Sequence, residues 1–137
     1  MTSPRKACPV VLRRNQDRTE ILAFHHPIAG CQLVKGSIEP DEDAGQAALR
    51  ELSEESGVCE ARIDSFIGTI EVNEPDQEWH LFVCSTGVLP DAWTHHTEDD
   101  GGHDFAFFWH PLDQSLDDQW HPAFKQTINF VRRNIVR

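Results

Sequence analysis

Apolar residues along this chain fall mostly into short alternating runs, interrupted by two stretches whose apolar positions recur at helical spacing. Residues Ala7 to Arg13 and Thr19 to Phe24 flank the polar turn Asn15-Gln16-Asp17-Arg18 and predict a pair of strands. Gln32 to Val34 forms a short extended lead into a glycine-bearing segment. Ile63 to Val72, Glu78 to Gly87 and Phe105 to His110 predict three further strands, apolar on both faces in places, as in a sheet covered on two sides. The first helical stretch runs from about Ala44 to Ser56. Asp43 followed three residues later by Gln46 makes an aspartate form of the capping box, and Gly57 suits a left-handed C-cap. On that helix Gly45, Leu49 and Leu52 form the predicted apolar stripe. The second helix spans about Ala123 to Val136, with Phe124, Ile128, Val131 and Ile135 on one face, a stripe that reads as core. No internal repeat or low-complexity tract interrupts this order. The expectation is one domain over residues 1–137, a mixed sheet flanked by two helices.

Charge changes the picture of the first helix. Residues three and four apart on a helix share a face, so Glu51, Glu54 and Glu55 project toward one small volume. Carboxylates held that close repel and are pushed toward protonation unless a cation sits among them. The natural partner of clustered carboxylate oxygens is a hard divalent ion such as Mg2+ or Mn2+. An arbitrary glutamate triplet is more often a solvated helix face. Here the triplet sits inside Gly36, five residues, Glu42, seven residues, then Arg50-Glu51-Leu52-Ser53-Glu54-Glu55-Ser56-Gly57-Val58, and fixed identities at fixed offsets outweigh that bland reading.

This segment, Gly36 to Val58, resembles the Nudix box residue by residue. The resemblance implies an α/β/α sandwich, in agreement with the order of predicted elements. It also implies hydrolysis of a nucleoside diphosphate linked to another group, by metal-assisted attack of water on phosphorus. Glu51, Glu54, Glu55 and the Gly36 carbonyl are then the expected metal ligands, with Mg2+ the expected ion and Mn2+ the alternative. Arg50 is expected to pair with a box glutamate such as Glu51 and orient it. Glu42 either supports the loop-to-helix junction or reaches the metal through water. Relatives take the general base from the box or from an acidic residue on a later loop. That leaves Glu54 or a neighbouring box glutamate, and Glu98 in the segment His95 to Asp104, read as a loop over the site. Lys35, just before the box glycine, is a candidate phosphate contact; Val34 stands where many relatives carry proline. Among the aromatics Phe24, Trp79, Trp93 and Trp109, core packing competes with substrate stacking, and Trp79 and Trp93 are the substrate-side candidates. His25 and His26, and His95 and His96, are adjacent pairs whose members point apart in an extended chain, which weakens a histidine metal site.

Composition then bounds the function. With 39% apolar and 26% charged residues the chain can bury a core, while a formal net charge of −11 argues against a surface that holds duplex nucleic acid. The expected partner is a small nucleoside diphosphate derivative. Cys8, Cys31, Cys59 and Cys84 lack a CxxC pair and read as free thiols. No run approaches membrane-spanning length and no leader pattern follows Met1, so a cytoplasmic location is expected. A homodimer is the assembly to test for. The absence of tyrosine removes a residue associated with one group of dinucleoside polyphosphate hydrolases. Nucleoside triphosphates, nucleoside diphosphate sugars and dinucleotides stay open as substrates. Two other readings remain, a ligand sensor of the same fold that binds a nucleotide without turnover, and an isomerase acting on a diphosphate.

Overall fold

The structure, a computed structural model, describes residues 3–73, 75–98 and 101–135. In chain order it contains β1 (Arg5–Asn15), β2 (Arg18–His26), β3 (Gly30–Gln32), β4 (Gly36–Ser37), α1 (Ala44–Ser56), β5 (Ala61–Val72), β6 (Gln77–Thr86), β7 (Trp93–Thr97), β8 (His103–Pro111) and α2 (Pro122–Asn134). The strands make one mixed sheet in the order β5-β6-β1-β2-β8-β7, with β3 on β2 and β4 on β1. β6 runs parallel to β1, from Arg5 against Glu78 to Val11 against Cys84. The β1–β2 hairpin turns through Gln16, at φ 58°, and pairs Leu12–Asn15 with Arg18–Ile21. Toward the other end of the hairpin each strand takes a different partner: β4 joins β1 at Lys6 and Ala7, and β3 joins β2 at Phe24 to His26. The chain crosses that fork on its way into α1, and a cavity lies there.

Strand alternation divides the core between the two faces of the sheet. Cys8, Val10, Ile21, Ala23 and Leu81 face α2, which brings Phe124, Ile128 and Val131. Ala7, Val11, Leu22, Phe24 and Phe82 face α1, which brings Ala47, Ala48 and Leu52. This is the expected mixed sheet between two helices. Ile21, Leu52, Leu81 and Ile128 are each at most 1% exposed, and burying such a side chain contributes about 1.5–3 kcal/mol.

Three sequence expectations need correction. The buried stripe of α1 is Gly45, Ala48 and Leu52, with Ala47 beside it, and Leu49 lies only half-buried at its margin. Helical register places Ala48, not Leu49, between Gly45 and Leu52 on the sheet side. Residues His95 to Thr97, read as loop, belong to strand β7, which pairs antiparallel with β8 from Trp93 against Phe107 to Thr97 against His103. Its polar sequence hid it, because an outer strand with one solvated face needs few apolar side chains. The predicted end of the second helix at Val136 lies outside the described residues; within them α2 ends at Asn134.

Candidate functional site

Local chemistry fixes α1 at both ends. The Asp43 carboxylate accepts from the backbone N–H of Gly45 at 3.0 Å and of Gln46 at 3.2 Å, satisfying N-terminal donors of the helix. Gly57 ends it at φ 81°, with its N–H bonded to the Ser53 carbonyl at 2.9 Å. The anchored helix turns Glu51 inward, buried beside Gly36, and leaves the Glu54 side chain 48% exposed. Gly36 lies opposite Ala7 in the β1–β4 pairing. A Cβ at position 36 would overlap the Glu51 carboxyl group, so any side chain there would force Glu51 to move.

Arg50 knots the acidic residues together. Its Nε and Nη2 donate to the two Glu42 oxygens at 2.8 and 3.0 Å, a bidentate pair. Nη1 donates to Glu51 at 2.8 Å and to Glu54 at 3.2 Å, and Nη2 also reaches the Ser37 carbonyl at 2.9 Å. Glu42 accepts in addition from the Glu39 N–H at 3.0 Å. The Arg50 bonds, with help from that N–H, hold the Glu42 carboxyl down at about 2, and the same contacts push the Arg50 guanidinium further up. Both ends of this knot stay charged across the physiological range.

The knot borders a cavity of about 640 Å3. Glu51, Glu54 and Glu55 enter it from α1, Lys6 from β1, and Lys35, Gly36 and Ser37 from the β3–β4 crossing. Burial lowers the pKa of the Lys35 ammonium, and the like charge of Lys6 lowers it further. The Lys35 ammonium stands over the Trp79 ring, 5.6 Å from its centroid. A second cavity, about 240 Å3, adjoins the first and shares Ala29, Gln32 and Lys35 with it.

The donor set suits a hard cation. Carboxylate oxygens of Glu51, Glu54 and Glu55, and the Gly36 backbone pressed against Glu51, are the groups that Mg2+ or Mn2+ prefers; among the described residues no thiol lines the cavity. Among the described residues no three acidic, histidine or cysteine side chains form a ready-made cage. Arg50 Nη1 holds both Glu51 and Glu54.

Of the residues singled out from sequence, Lys35, Gly36, Arg50, Glu51, Glu54 and Glu55 are brought to this one cavity. Glu98 is not among the described residues lining it; its carboxylate pairs with His96 Nε2 at 3.0 Å, and His96 Nδ1 meets Asp104 at 2.8 Å. Trp93 packs elsewhere, stacked on Phe107 at 5.1 Å and donating to the Ser56 carbonyl at 2.9 Å. Trp79 is 2% exposed and packs on Phe124, so its indole reaches only the wall of the smaller cavity. Lys6 and Ser37, which sequence reading passed over, and His26, weighed there only as half of an adjacent pair, also line the main cavity. Only the pairing of β4 with the start of β1 brings Lys6 to the box, and no local pattern carries that information.

A three-layer sandwich with a capped acidic helix pressed on a glycine crossing, at the fork of its central hairpin, defines a class of fold with a carboxylate-lined cavity. The sequence matches the model of the NUDIX domain over residues 3–130, and the chain belongs to that family. Among solved structures it superposes on a UDP-X diphosphatase with a TM-score of 0.71 at 13% identity, over 97% of this chain and 63% of that one. This chain therefore spans less than two thirds of that protein. A MutT NUDIX hydrolase from Burkholderia pseudomallei gives 0.69 at 15% identity, over 96% of this chain and 99% of that one. The NUDIX domain of Shewanella oneidensis NrtR, complexed with ADP ribose, gives 0.64 at 16% identity, over 97% and 88%. A search of curated proteins finds no match.

Proposed function

We propose that this chain is a metal-dependent hydrolase that cleaves a diphosphate linkage in a nucleoside diphosphate joined to another group. The observation that carries the reading is the convergence of Gly36, Glu51, Glu54 and Glu55 with Lys35 on a single cavity. The names of the structural neighbours, a UDP-X diphosphatase and an ADP-ribose-binding domain among them, support the substrate class. Gly36, Glu51, Glu54 and Glu55 would hold Mg2+ or Mn2+, which supplies charge neutralisation of the diphosphate and acidifies water.

The protein's own groups divide the remaining work. Arg50 orients Glu51 through a bond of 2.8 Å without occupying all of its oxygen lone pairs. Glu42 holds the guanidinium in place by its bidentate bond. Lys35, at the shared wall of the two cavities, is placed to donate to a phosphoryl oxygen. Glu54 lines the cavity and is half-exposed, so it can accept a proton from an attacking water, whereas Glu98 faces His96. Glu54 is therefore the favoured base.

The test is release of phosphate-bearing fragments from a panel of nucleoside triphosphates, nucleoside diphosphate sugars and dinucleotides, with and without Mg2+ or Mn2+. Glu54→Gln and Glu55→Gln run beside the wild type. Metal-dependent release that collapses in both variants is the expected result. Tight nucleotide binding with no turnover would replace the hydrolase with a sensor, and a product of unchanged mass would replace it with an isomerase.

A further inference from the structure

The last turn of α1 carries Glu54 and Glu55 at the end of the helix least suited to them. The carbonyls there point past the C-terminus and make it partly negative, which disfavours carboxylates. Arg50, one turn back, reaches Glu54 at 3.2 Å, but the last turn itself holds no basic residue. The carbonyls of Ser53 to Ser56 also have no partner within the helix. That of Ser53 takes the Gly57 N–H at 2.9 Å. Two others are met from strand β7: Trp93 Nε1 donates to the Ser56 carbonyl at 2.9 Å, and His95 Nε2 lies 3.2 Å from the Glu54 carbonyl. A carbonyl oxygen only accepts, so Nε2 carries the hydrogen of that bond. Trp93 and His95 stand two apart on the strand and share the face turned to α1. The strand is itself held, Trp93 opposite Phe107 and His95 opposite Phe105, with the indole stacked on the Phe107 ring. The His95 ring also fills the space a side chain at 57 would need, since a Cβ there would come within 2.9 Å of Nδ1.

We infer that Trp93 and His95 are positioning residues: they clamp the C-terminal carbonyls of α1 to strand β7 and so fix the direction in which Glu54 and Glu55 enter the cavity. As a device for the metal site this rests on the proposed metal-dependent reading; as a clamp on the helix end it does not. Glu55 lies between the two clamped carbonyls, so the backbone is held on both sides of it. Without the clamp those carbonyls return to water, and the two carboxylates repel each other and the helix end, so the turn frays. A carboxylate pair in place for only a fraction of the time binds a cation more weakly by that fraction. Among the described residues lining the main cavity neither Trp93 nor His95 appears; both border a separate depression behind the helix end, with Ser56 and Gly57. Their effect on the metal site therefore passes through α1.

Mn2+ binding to the whole chain, followed by electron paramagnetic resonance, tests this in variants that remove the donors and keep the packing. Trp93→Phe keeps a ring against Phe107 and loses the indole N–H. His95→Leu loses the other donor, and His95→Gln restores an N–H of similar reach. Each neutral hydrogen bond is worth a few-fold, so Trp93→Phe with His95→Leu should weaken Mn2+ by roughly tenfold, while His95→Gln alone stays within about twofold of wild type. Amide exchange should quicken from Ser53 to Gly57 in the double variant and stay unchanged in α2. Ile128→Val, which loosens the core across the sheet, should lower Tm and leave Mn2+ affinity unchanged. If the double variant fails to fold by circular dichroism, His95→Leu against His95→Gln decides by the same comparison. Wild-type affinity in the double variant would overturn the clamp. So would equal losses in His95→Leu and His95→Gln, an equal loss in Ile128→Val, or no wild-type binding at millimolar Mn2+. Turnover separates the two proposals: metal-dependent hydrolysis with Mn2+ affinity unchanged in the double variant removes the clamp and leaves the hydrolase. Clamp-dependent Mn2+ affinity without turnover of any nucleotide leaves the clamp and removes the hydrolase.

Discussion

Gly36→Ala is the sharpest probe of the site, because its effect should depend on one other residue. The added methyl overlaps the Glu51 carboxyl group, which must then swing away. Glu51 is buried and bonded to Arg50 at 2.8 Å, so the displacement breaks a charge-assisted bond. Such a bond is worth about 1.5–3 kcal/mol. Alanine stiffens the unfolded chain and returns about 0.4–1 kcal/mol at a position whose backbone it tolerates. The net expectation is a loss of about 1–2 kcal/mol, which for a domain of this size lowers Tm by roughly 3–10 °C. Mn2+ binding, followed by electron paramagnetic resonance, should weaken in parallel, since the displaced carboxylate is a proposed ligand. The control is the same substitution in a Glu51→Ala background, where the overlap and the bond are both gone and Gly36→Ala should be neutral or slightly stabilising. A double-mutant cycle from thermal melts reads the difference directly. Equal destabilisation in both backgrounds would refute the argument that Glu51 is what makes glycine necessary at 36.

Two further outcomes follow from the titrating groups. Glu42 titrates near 2 in the folded protein against an ordinary value of 4.5, so its contribution is fully present above pH 4.5 and is lost as pH falls toward 2. Urea melts should therefore show that Glu42→Gln destabilises at pH 6 and does so progressively less toward pH 2; an equal effect at both ends would contradict the Arg50–Glu42 pairing. Burial pushes the Cys8 and Cys84 thiols up to about 12 and raises that of Cys31, whereas Cys59 is exposed. A disulfide reagent added to the native protein should label one thiol, Cys59, rapidly, and the other three only on unfolding; rapid labelling of a second would show an opening that the packed sheet does not explain.

Much of the fold and the acidic wall of the cavity were legible in the sequence. Helix α1 carries its own start in Asp43 and its own stop in Gly57, and its spacing puts Glu51, Glu54 and Glu55 within one turn and a half, because these features depend only on neighbours along the chain. The apolar stripe of α2 and the strands from Ala61 to Thr86 were legible for the same reason, since burial imposes a period on the sequence. Strand β7 was not, because its hydrogen bonds to β8 hold a polar segment in place without an apolar pattern. Nor could the sequence say which aromatic faces the cavity: Trp79 and Trp93 differ in the element each packs against, not in their local surroundings. Only the tertiary structure decided that Arg50 ties Glu42, Glu51 and Glu54 into one knot, that Glu51 leans on Gly36, and that Lys6 stands beside Ser37. Lys6 and Ser37 lie 31 positions apart, and pairing across that separation is set by how the whole sheet closes rather than by either residue's neighbours.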